Sequence, residues 1–85
     1  MKTLSLNDFK SYTFDHKCEV VTINADYVMH REFPKGKAYL YYAGSFFIEV
    51  VYSSVYKKIL MINAFDDQKQ LGLYADTVSL VDLNL

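Results

Sequence analysis

Eighty-five residues with a net charge of −1, 52% of them hydrophobic and 16% aromatic, make one small domain spanning 1–85. The chain is too apolar and too weakly charged for disorder, a single cysteine excludes an intrachain disulfide scaffold, and a pI near 6.0 argues against nucleic-acid binding by charge. No segment has the roughly 18 apolar residues of a membrane span, and Met1-Lys2-Thr3-Leu4 lacks the apolar stretch of a secretory signal. The expectation is a cytoplasmic protein with Cys18 reduced and no membrane partner.

Ser5-Leu6-Asn7-Asp8-Phe9 reads as a helix start: Ser5 can accept from N–H groups of the first turn, and Asp8 sits near the positive end of the helix dipole. Leu6, Phe9 and Tyr12 recur at helical spacing. Cys18 to Ile23, rich in β-branched residues, predicts a first strand, and Asn24-Ala25-Asp26 a turn. Tyr27 to Phe33 predicts a second strand with Tyr27, Met29, Arg31 and Phe33 on one face. Phe33-Pro34-Lys35-Gly36-Lys37 is the clearest turn signal. Ala38 to Tyr42, Phe46 to Tyr52 and Tyr56 to Phe65 predict three more strands, the first two joined by a tight hairpin through Ala43-Gly44-Ser45. A short helix is predicted over Gln70 to Thr77, and Ser79-x-x-Asp82 resembles a capping box, with Leu80 and Leu83 anchoring the tail. The fold class is α+β: an antiparallel four- or five-stranded meander with a short N-terminal helix and a short C-terminal helical segment, since short links cannot join parallel strands.

Alternation assigns the faces. Phe46, Ile48, Val50 and Tyr52 oppose Phe47, Glu49 and Val51; Ile59, Met61, Asn63 and Phe65 oppose Leu60, Ile62 and Ala64; Ala38, Leu40 and Tyr42 oppose Tyr39 and Tyr41. Both faces are largely apolar, and two short helical pieces cannot cover both. Either the sheet curls on itself or one face meets another chain; Tyr39, Tyr41, Phe47, Glu49, Val51, Leu60 and Ile62 are assigned to that partner face, a homodimer being the simplest case. The unbroken apolar run Ile59–Ile62 predicts a strand covered on both sides, burying Leu60 and Met61 alike.

Few residues point to chemistry. His16 and Cys18 would share a strand face and His30 could approach them, but the spacing matches no usual ligand set, so no metal and no cofactor is expected. No residue is assigned a catalytic role. Mid-strand Glu49, if buried, needs a partner such as Lys58 or Arg31, and an ion pair is the simpler account than an acid–base role. Lys35-Gly36-Lys37-Ala38-Tyr39-Leu40-Tyr41-Tyr42 resembles the first ribonucleoprotein motif of RNA-recognition domains. Lys35, Gly36, Ala38 and Tyr42 match it, whereas Lys37 replaces a stacking aromatic. That family stacks bases on such rings, whereas Tyr39 and Tyr41 read here as pair partners across the sheet, and nucleic acid is not an expected partner. It covers eight residues, and that family places a helix between its first strands where this chain has none. Pro34-Lys35-Gly36-Lys37 precedes a strand, unlike a phosphate-binding loop, and reads as a turn with solvated lysines.

The leading expectation is a noncatalytic protein-interaction module, self-associating or part of a small complex. The alternative is a domain that holds a small apolar or aromatic ligand between sheet and helix.

Overall fold

A computed structural model describes residues 4–66 of the chain. Two helices, α1 (Leu6–Ser11) and α2 (Phe14–Asn24), precede four strands: β1 (Asp26–Phe33), β2 (Gly36–Tyr42), β3 (Phe47–Ser53) and β4 (Lys58–Phe65). The strands form one antiparallel sheet in chain order, β1-β2-β3-β4. The expected antiparallel meander is present with four strands. The helix predicted over 70–77 and the anchor at Leu80 and Leu83 lie outside the described residues.

Helix α1 starts as expected. The Ser5 hydroxyl accepts from the Asp8 N–H at 3.1 Å, and Asp8 lies in the first turn. Extended backbone at Tyr12 ends it after six residues.

The strand expected over Cys18 to Ile23 is instead the core of α2. The β-branched run Val20-Val21-Thr22-Ile23 lowers helix propensity by only tenths of a kcal/mol per residue, and tertiary packing outweighs that. Thr13 caps the helix, its hydroxyl accepting from the His16 N–H at 3.2 Å. Val20 and Val21 bury themselves against the sheet, and the Thr22 hydroxyl returns to the Cys18 carbonyl at 3.0 Å rather than competing for a strand.

One sheet face carries both helices. There Phe9, fully buried, meets Phe46 with ring centroids 5.7 Å apart, and Val20, Val21, Ile48, Val50 and Ile62 complete the cluster. The second face has its own cluster of Ala38, Leu40 and Phe65, flanked by Met29, Phe33, Phe47 and Val51.

Two bulges change the faces that simple alternation assigns. In β1 the pairing slips between Tyr27 and Met29. Tyr27 opposite Tyr41 therefore points to the helix face, while Met29, Arg31 and Phe33 point to the second face, and the expected shared face of all four is corrected. In β4 the pairing slips between Ile59, opposite Tyr52, and Met61, opposite Val51. Leu60 is the extra residue, so Ile59 joins the helix-side core rather than sharing a face with Met61. The strand is not covered on both sides here: Leu60 is 49% and Met61 48% exposed.

Candidate functional site

The seven residues assigned to a partner face divide between both faces of the sheet. Tyr39 lies opposite Val50 and Tyr41 opposite Ile48, and Val50 in turn lies opposite Ile62, so Tyr39, Tyr41 and Ile62 share the helix face. Phe47, Glu49 and Val51 belong to the second face, in register with Tyr42, Leu40 and Ala38. Leu60 stands at the β4 bulge, between the two sets. Alternation within a strand orders its own residues, but only the register between strands, fixed by the loops, says which sets coincide.

On the second face, Glu49 is buried and its carboxylate meets the Arg31 guanidinium across β2 at 3.5 Å. Of the two expected partners, Arg31 is the one in reach. Lys58 instead holds its ammonium 6.0 Å from the Tyr56 ring.

The helix face presents an aromatic ledge along β1 and β2. The Tyr27 and Tyr41 rings meet edge-on at 5.8 Å, and those of His30 and Tyr39 lie 5.7 Å apart. The Tyr27 hydroxyl and His30 Nδ1 share a hydrogen bond of 2.8 Å, and His30 Nε2 lies 3.7 Å from Glu32. Partial burial, then the neighbouring Tyr39 and Tyr27 phenols, raise the pKa of Tyr41 above its ordinary value near 10. Lys37, Tyr39 and Tyr41 of the ribonucleoprotein-like stretch thus face the side that carries the helices.

A cleft of about 140 Å³ opens next to this ledge, between α2 and the sheet. Cys18, Val21 and Thr22 line it from the helix, Tyr41 and Val50 from β2 and β3, and Ile59 and Ile62 from β4. A volume of this order holds one benzene-sized ring, well below the several hundred Å³ of pockets for larger ligands. The bulge that turns Ile59 inward completes its wall, a detail that periodicity alone does not reveal.

The residues weighed as metal ligands stand apart in role. His16 stacks on Tyr12 at 4.0 Å, Cys18 lines the cleft and His30 belongs to the ledge. Among the described residues no three His, Cys, Asp or Glu side chains converge to hold a metal ion. Among them, too, no helix is long and apolar enough to cross a membrane.

The two sheet edges differ. The β1 edge carries Asp26, His30, Arg31 and Glu32. In β4, Lys58 is followed by Ile59-Leu60-Met61-Ile62-Asn63-Ala64-Phe65, with neither charge nor proline. Native edges are ordinarily protected by such charges, by proline, by bulges or by cover. The bulge at Leu60 leaves Met61 to Phe65 as a regular edge segment. Compared with protein-family models, with curated proteins and with solved structures, the chain finds no match.

Proposed function

We propose that the protein is a noncatalytic interaction module that self-associates by pairing the β4 edge with β4 of a second copy. The uncharged edge segment Met61–Phe65, with Met61 and Leu60 about half exposed at its start, is the observation that carries this reading. An antiparallel pair of identical strands about a two-fold axis satisfies the outward N–H and C=O groups of both copies with one self-complementary surface. It also covers Leu60 and Met61. The second face contributes less, because Ala38, Leu40, Glu49 and Phe65 are already buried within one chain. Sedimentation equilibrium of the full chain tests the proposal. The expected result is a dimer at micromolar concentration and a monomer for Met61→Lys, whose charge would be stranded in the paired edge. A mass of one chain at every concentration overturns it, as does a Met61→Lys variant that still dimerises.

The cleft favours a second reading, a site for a single ring. Its lining of Val21, Val50, Ile59 and Ile62, with the Thr22 hydroxyl and Tyr41 at its walls, suits a small aromatic molecule or one aromatic side chain. Titration with indole, followed by NMR, should move the methyl resonances of Val21 and Ile62 and leave those of Val55 in place. Unmoved cleft methyls count against this reading.

A further inference from the structure

Charge and apolar exposure coincide at one end of the sheet. There the β1–β2 turn and the β3–β4 turn lie side by side, joined by the Ser54 N–H donating to the Lys35 carbonyl at 2.9 Å. Lys35 and Lys37 come from the first turn and its flank, Lys57 and Lys58 from the second, and all four are exposed. Four of the nine basic residues of the chain thus gather at one end. Glu32, in register with Lys37, is the acidic side chain that the pairing places beside them. Asp26, opposite Tyr42, and Asp66, which follows Phe65, stand at the other end. The sheet is therefore polarised along its strands.

The apex of the lysine-bearing end is apolar. Val55 is 61% and Tyr56 70% exposed. The turn that presents them is defined by two contacts of its own. The Ser53 hydroxyl accepts from the Tyr56 N–H at 3.0 Å, and Lys57 adopts a left-handed φ of 57°. A valine and a tyrosine at the tip of a hairpin, surrounded by lysines, match the layering of a bilayer surface. Tyrosine favours the headgroup level, and lysine stems lie along apolar material while their ammonium groups reach the anionic headgroups.

We propose that this end of the sheet docks on an anionic lipid bilayer, Val55 and Tyr56 entering the headgroup layer and Lys35, Lys37, Lys57 and Lys58 lying over its negative charge. The aspartate-bearing end is repelled by the same surface, so the charge pattern sets the orientation as well as the attraction. A nucleic-acid strand fits the apex less well, because it offers one exposed ring where stacking needs a row, and Val55 has no part in stacking.

Co-sedimentation of the full chain with phosphatidylcholine vesicles, with and without about 30% phosphatidylserine, tests the proposal. Binding is expected only with phosphatidylserine and should weaken as salt rises. Each lysine removed should lower partitioning about fivefold, so Lys35→Gln combined with Lys57→Gln costs roughly 25-fold. Val55→Ser with Tyr56→Ser should lower it several-fold at unchanged charge, whereas Lys10→Gln, on α1, should change little. If the paired turn variant loses its far-UV spectrum, Lys37→Gln decides in its place. No binding to phosphatidylserine vesicles overturns the proposal. So does an equal effect of Lys10→Gln, or a single-stranded oligonucleotide that binds the chain in preference to the vesicles.

Discussion

Tyr41 shows how one side chain reports its surroundings. Its phenol sits where the ledge meets the cleft, and burial first, then the Tyr39 and Tyr27 phenols, disfavour its ionised form. The folded state therefore holds this proton more tightly than the unfolded chain. Its contribution is fully present below about pH 10, and it is lost as pH rises through the higher folded pKa. Urea denaturation of Tyr41→Phe and of the parent chain at about pH 9 and about pH 11 should show a smaller alkaline loss in the variant; identical losses would remove Tyr41 from the account. Two apolar residues mark the extremes of burial. Phe9 has no exposed surface and packs on Phe46, so Phe9→Ala should cost about 3–5 kcal/mol. Leu60, half exposed on its bulge, should change monomer stability by no more than about 0.5 kcal/mol on substitution by Ala, measured at concentrations below association.

At the level of elements, much of the sheet was legible and its faces were not. Tyr27–Phe33, Ala38–Tyr42, Phe46–Tyr52 and the latter part of Tyr56–Phe65 were visible as strands because each alternates or is β-branched between turn residues. The α1 start was visible in Ser5 and Asp8 for the same local reason. Helix α2 was not, because its evidence lies in Thr13 as a cap and in burial of Val20 and Val21, while its composition suggests a strand. The bulges at Val28 and Leu60 carry no composition signal, and each moves neighbours to the opposite face. The bulge-free register of β2 against β3 is equally silent in composition, and it sets Tyr39 and Tyr41 on the face opposite to Phe47, Glu49 and Val51. Gly36 shows the reverse case, a residue whose identity the packing demands. A Cβ there would collide with the Tyr52 carbonyl and press on the Phe33 ring. Gly36→Ala should therefore destabilise by about 1–3 kcal/mol or more, by forcing β2 and β3 apart, and thermal melts of the variant would show it.

Over the whole described molecule, three surfaces are proposed for partners: the β4 edge, the cleft beside α2, and the lysine-bearing turns. They use different physics. Among the described residues β4 has a neighbouring strand on one side only, so association through this edge should depend on protein concentration and little on salt, whereas attraction to an anionic surface weakens as salt screens it. Sedimentation at low and at high ionic strength thus separates edge pairing from charge-driven assembly; an apparent dimer that dissociates as salt rises would point away from the β4 edge.

The strand order β1-β2-β3-β4 follows the chain order without a crossover. Each strand can pair with the one just before it, so no step of sheet formation must close a long loop, and contact order is low for a sheet protein. Folding can proceed as successive hairpins, with β4 joining as soon as β3 is in place. The main phase of refolding from urea should accordingly be a single exponential with a time constant below about a second, by stopped-flow fluorescence of the tyrosines.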